Sequence, residues 1–175
     1  TDIFDEFMES NNLYSIALQD LDDEVILEAF LKAKLPERIK IDLRKVISVF
    51  QRPLAVRSSS KLEDSHYQPF AGIYSTYMVP HSDNLDQMLQ HLAKAVKAVY
   101  ASVFYKASKA YMNATQNEID QEKMGVIIQE ICGNQYGTLY LTTISVVARS
   151  LNFYTIGSEK TEDGIVSVGF GLGKT

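Results

Sequence analysis

A single cysteine, Cys132, excludes an internal disulfide and any cysteine-built zinc cluster in this chain. Set in an apolar run, it reads as a buried and inert side chain, and its solitude fits a reducing, cytoplasmic setting. The three histidines, His66, His81 and His91, share no spacing and have no partner cysteines, so no metal-ligand pattern arises from them. Hydroxyl side chains are plentiful, but nothing orders them into a Ser-His-Asp set. No apolar run approaches the roughly 20 residues needed to cross a bilayer. The opening Thr1-Asp2-Ile3-Phe4-Asp5 is acidic where a signal peptide would be positive. Cations are in deficit too: 17 Lys and Arg stand against 22 Asp and Glu, a net charge of -5. That argues against nucleic acid or an anionic membrane as the main partner, while a local cationic pocket remains open. Repeats and low-complexity stretches are absent.

What is present is ordinary globular material. With 175 residues, 46% of them hydrophobic, the chain can build one domain or two small lobes. The first 50 residues read as helices. Val25, Ile26, Ala29 and Phe30 fall at helical spacing between Asp22 and Lys34. After Pro36, a residue suited to a first helical position, Ile39, Leu43, Val46, Ile47 and Phe50 trace one buried face. Pro53-Leu54-Ala55-Val56 reads as a buried strand that runs into loop chemistry at Arg57-Ser58-Ser59-Ser60. A Tyr- and Thr-rich strand is expected over 73–79. One long helix is then expected from about Asn84 to Met112, on a stripe that includes Leu85, Leu92, Val96, Val99 and Phe104. A polar loop at 113–123 precedes strands over 125–131, 139–147, 153–156 and 165–170, with Asn134 and Gly137 at a hairpin turn between the first two. The order predicts an α+β fold: a helical start and mixed lobe over 1–112, then a mostly antiparallel, strand-rich lobe over 113–175. The missing initiator Met and the stop just after a strand-like run lead us to expect an excerpt of a longer protein.

Three segments carry candidate chemistry. In the first, a strand ends at Arg57, three serines follow, then Glu63-Asp64 and Phe70-Ala71-Gly72. A guanidinium fork matches two phosphate oxygens, and serine hydroxyls and backbone N–H groups can complete an anion cradle. Gly72 allows close backbone approach, and Thr76 adds a hydroxyl. The plain alternative is Arg57 paired with Glu63 or Asp64 beside a serine turn. In the second, Gly125 to Cys132 is an apolar strand interrupted by Gln129 and Glu130, which could face an adenine edge together with the backbone of Glu130, Ile131 and Cys132. The alternative is an edge strand with both polar side chains in solvent. The third, Gly169-Phe170-Gly171-Leu172-Gly173-Lys174-Thr175, imitates a phosphate-binding P-loop. That motif requires glycine at position 168, which is Val168, so the segment reads as a strand and a glycine-rich turn.

The combination Ala55-Val56-Arg57-Ser58-Ser59-Ser60, Glu63-Asp64 and Phe70-Ala71-Gly72 resembles the AVRSSA…ED…FAG signature of the amino-terminal ATP-grasp region of phosphoenolpyruvate synthases. Pyruvate phosphate dikinases and rifampicin phosphotransferases share that region. The resemblance runs from about Arg52 to the end, through Tyr74 to Tyr77, Ala101-Ser102-Val103-Phe104, Val126-Ile127-Ile128-Gln129 and the closing glycine-rich strand. It implies an ATP-grasp-like fold and a phosphotransferase acting with ATP and Mg²⁺. Arg57 would contact the phosphates and serve catalysis, with Ser58, Gly72 and Thr76 beside it. Gln129, Glu130, Ile131 and Cys132 would face the adenine. The phosphoryl group would pass to a histidine on a separate domain of the same parent chain and then to pyruvate on another. The family's phosphate-binding lysine and acidic metal ligands have no counterpart here, and Val146 stands where the family usually has glycine. The chain alone is therefore expected to bind ATP poorly or not at all and not to complete the reaction. The rival readings are a nucleotide-binding or interaction module without catalysis, or a dikinase with another acceptor such as rifampicin or a glucan.

Overall fold

A computed structural model describes residues 2–60, 63, 72–115 and 122–172. Asp64, Phe70, Ala71 and the last glycine-lysine pair lie outside them. The elements are α1 (Asp2–Ser10), α2 (Tyr14–Ala17), α3 (Asp23–Lys32), α4 (Glu37–Ile47), β1 (Leu54–Ser60), β2 (Tyr77–Val79), α5 (Leu85–Ser102), α6 (Lys106–Ala114), β3 (Met124–Glu130), β4 (Asn134–Tyr136), β5 (Leu139–Leu141), β6 (Ile144–Arg149) and β7 (Ile165–Phe170). The result is a mixed α+β chain with antiparallel strands, in two compact units, Thr1–Glu130 and Ile131–Thr175.

In the first unit α5 is the hub. Its buried stripe of Met88, Leu92, Val96 and Val99 packs against α3, α4 and one face of a three-stranded sheet ordered β2-β1-β3. Asn84 starts α5 by accepting the Asp86 and Gln87 N–H groups, the usual remedy for unpaired donors at a helix start. Ring packing closes the core: Phe104 lies 5.8 Å from Phe30 and 6.4 Å from both Phe4 and Tyr14, while Phe4 meets Tyr100 edge-on at 5.0 Å.

Several expectations need correction. The long helix is two helices, because the chain turns at 103–105. The Ser102 carbonyl accepts from Ser108 Oγ at 2.7 Å, Phe104 N–H closes a tighter turn onto Ala101 O, and Tyr105 is extended. The turn carries Phe104 inward. The strand expected over 73–79 shrinks to β2, since the Ser75 N–H donates to Ser102 Oγ at 3.2 Å instead of to a neighbouring strand. Conversely, Arg57 to Ser60 is strand rather than loop, held by an unbroken ladder from Leu54↔Glu130 to Ser60↔Met124. That ladder also places β3 in the first unit, so the compact units part after Glu130, beyond the polar stretch at 113–123.

In the second unit β4 and β5 form a hairpin around Gly137, whose φ of 63° suits glycine. The strand expected over 139–147 divides into β5 and β6, and β6 pairs with β7. The segment 153–156 is loop, organised by Asn152 and Glu159: Asn152 N–H donates to Thr161 O at 2.8 Å and Ile156 N–H to Glu159 at 3.0 Å. The β6–β7 register puts Ile144, Val146, Ala148, Val166, Val168 and Phe170 on one wholly apolar face. Among the described residues of this unit no apolar side chain is buried, and Phe170 is 93% exposed. Cys132, expected inside, is exposed. Among the described residues no helix is long and apolar enough to cross a membrane.

Candidate functional site

Side chains alternate across a strand, so β1 divides its residues between two faces. Leu54, Val56, Ser58 and Ser60 turn toward α5, and Leu54, Val56 and Ser60 are buried there. Ala55, Arg57 and Ser59 turn to the open face. Directly opposite residues of an antiparallel pair share a face. Met78, Ala55 and Gln129 therefore form one row of the open face, with Arg57 and Ile127 in the next and Ser59 and Gly125 in the third. Thr76 precedes β2 by one residue, on the side of β1 away from β3, and is exposed. The fold thus brings Arg57 and Gln129 to one surface, with Thr76 exposed just before the neighbouring strand.

Arg57 is exposed there, and among the described residues its guanidinium makes no hydrogen bond or ion pair. The reason lies on the other face. Glu63, the nearest described carboxylate in sequence, accepts from Ser58 Oγ at 2.9 Å and from the Ser60 N–H at 3.1 Å, and its own N–H donates to Ser60 Oγ at 3.3 Å. The Glu63 alternative for pairing Arg57 therefore does not hold. Ser58 is correspondingly separated from Arg57, facing the core side with its hydroxyl donating to Glu63. Nearby, burial raises the Tyr74 phenol far above its ordinary ionisation range, and the Glu122 carboxylate pushes the same way.

The residues expected around an adenine divide as well. Gln129 is exposed on the open face. Glu130 points to the opposite side and accepts the Gln51 N–H at 2.8 Å. In the second unit the Ile131 carbonyl accepts from Tyr140 Oη at 2.9 Å and the Cys132 carbonyl from Thr142 Oγ1 at 2.7 Å. Each carbonyl keeps a second lone pair. Gly72 has φ 85°, a left-handed backbone that favours glycine, and among the described residues nothing lies within 4 Å of the place where a Cβ would stand. Val146 faces Val168 on the apolar side of the β6–β7 ribbon.

Sequence reasoning missed Glu63 as a clasp and Met78 and Ile127 as apolar neighbours of Arg57. A Ser-x-x-Glu signal was legible at Ser60 to Glu63, but that pattern is associated with helix starts. The open face fits an anion with an apolar flank: a guanidinium unpaired among the described residues, a glutamine amide, and Met78 and Ile127, each about half exposed, with the exposed Thr76 just before β2. Among the described residues no group of three or more His, Cys, Asp or Glu is arranged to hold a metal ion.

Comparison with known proteins gives two findings. Residues 1–175 match the family model described as pyruvate phosphate dikinase, AMP/ATP-binding domain. The chain is also 30% identical over 135 residues to the uncharacterized phosphotransferase YvkC of Bacillus subtilis (strain 168), an alignment covering 77% of this chain. It spans 15% of the length of that curated relative.

Proposed function

The chain belongs to the family of the pyruvate phosphate dikinase AMP/ATP-binding domain, and on that premise we propose that it holds the phosphates of ATP on the open face of the β2-β1-β3 sheet, with Arg57 as their principal contact. The observation that carries this reading is the Arg57 guanidinium, exposed on an open face and without a carboxylate partner among the described residues. Its planar fork suits two phosphate oxygens. Thr76 and the turn at Gly72 complete the phosphate side, and Gln129 with the backbone of Glu130 takes the adenine. Ser58 contributes through the strand end it secures.

The activity served is phosphoryl transfer of the phosphoenolpyruvate synthase type, in an ATP-grasp arrangement. ATP, pyruvate and water give AMP, phosphoenolpyruvate and phosphate, by way of a histidine on another domain. The resemblance of the Arg57 segment and the relative's name as a phosphotransferase support this. This chain's own contribution is to bind and orient: a fixed cation neutralises phosphate charge without reorganising when it is needed. Mg²⁺ would share that neutralisation when bound.

Arg57→Ala should weaken Mg²⁺–ATP binding by about 1.5–3 kcal/mol, the usual worth of a hydrogen bond to a charged group, or roughly 10- to 150-fold. NMR titration of the chain reads this into the millimolar range. Unchanged affinity in a folded variant would remove Arg57 from the phosphates and take the reading's main residue with it.

A further inference from the structure

Glu63 has a place in the fold that no phosphate contact explains. With Ser60 it forms a reciprocal pair three residues apart, each side chain accepting the other's backbone N–H, at 3.1 and 3.3 Å. This is the geometry of a helix capping box, used here to close a strand. The second carboxylate oxygen takes the Ser58 hydroxyl at 2.9 Å. Ser58 and Ser60 flank Ser59, and both sit in the ladder opposite Val126 and Met124. The clasp therefore fixes the final residues of β1 on the core side, where Ser60 is buried. Arg57 leaves the same strand on the other side.

We propose that Glu63 is a positioning residue for Arg57. It holds the end of β1 in register beneath the guanidinium. It also keeps a carboxylate that is close in sequence on the far face, where it cannot neutralise the cation. The proposal rests on the reading of Arg57 as the phosphate contact. Supporting residues of this kind act through the geometry of the contacting group and commonly change affinity by 10- to 100-fold at metal sites.

The test is an NMR titration of the chain with inorganic tripolyphosphate, following the Arg57 Nε–H resonance, in the wild type, Glu63→Ala, Glu63→Gln and Arg57→Ala. Glutamine can still accept the Ser60 N–H and can donate its amide to Ser58 Oγ, so it preserves the clasp without the charge. We expect Glu63→Ala to weaken binding roughly tenfold with the amide spectrum still dispersed, and Glu63→Gln to restore affinity to within about threefold of wild type. Glu63→Ala binding like wild type, while Arg57→Ala does not, would overturn the positioning role and leave the phosphate site standing. Glu63→Gln failing as badly as alanine would also overturn it, since the charge and not the clasp would then matter. A wild-type Arg57 resonance that ignores tripolyphosphate would overturn the phosphate reading itself, and this inference with it.

Discussion

Replacing Phe104 with alanine is expected to destabilise the chain by about 3–5 kcal/mol, the usual cost of deleting a buried phenyl ring. The ring is fully buried, lies within 6.4 Å of the rings of Phe4, Tyr14 and Phe30, and so ties α1, α2 and α3 to the end of α5. Because it sits in the turn between α5 and α6, its loss also removes the apolar contact that draws that turn inward. A small domain's whole stability is about 5–15 kcal/mol, so much of it would be lost. Urea unfolding followed by circular dichroism should show a lower midpoint with an unchanged slope. A cost below about 1 kcal/mol would mean that the surrounding rings close the void, which rigid aromatic packing does not favour.

Gly125→Ala should cost about 1–3 kcal/mol, in the range of core overpacking, and should also impair nucleotide binding. A Cβ at Gly125 would stand 2.8 Å from the Ser59 carbonyl oxygen, a backbone atom that cannot swing aside. Relief requires β1 and β3 to part at the Ser59↔Gly125 pair, two residues along β1 from Arg57. Gly137→Ala is the control. Its φ of 63° is unfavourable to a side chain, yet among the described residues nothing lies within 4 Å of the added carbon, so only the left-handed backbone cost of about 1–2 kcal/mol applies. Mg²⁺–ATP titrations of the two variants should separate them, with the Gly125 variant weakened and the Gly137 variant unchanged. Equal binding by both would mean that the spacing of β1 and β3 does not matter to the site.

Much of the first unit was legible because its signals are local. Helical spacing from Val25 to Phe30 and from Ile39 to Ile47 gave α3 and α4 nearly to their ends. The break after Ser102 was not legible, since the apolar stripe runs on through Val103 and Phe104 and the interruption comes from hydroxyl bonds that only the folded turn creates. Nor was the partner of β3, because strand pairing is decided between residues far apart in the chain, as Leu54 and Glu130 are. At the candidate site the family signature singled out Arg57. The face on which each neighbour lies depends on recognising that β1 continues to Ser60. Three consecutive serines hid that continuation by reading as loop, and so grouped Ser58 with Arg57 when alternation separates them. Glu63 was visible only as a carboxylate near an arginine. Its actual engagement follows from Ser60 being buried, which no residue pattern in the stretch announces.

The bare apolar face of the β6–β7 ribbon has a calorimetric consequence. Heat absorbed on unfolding comes from disrupting packed interior, at about 0.7 kcal/mol per residue near 60 °C. Residues Ile131–Thr175, with no buried apolar side chain among those described, have little interior to disrupt. A scan of the chain should therefore show one endotherm of about 90 kcal/mol, the share of the roughly 130 residues of the first unit, and not the about 120 kcal/mol expected if all were packed alike. An enthalpy near the larger figure would mean that the apolar ribbon is covered in solution and melts with the rest.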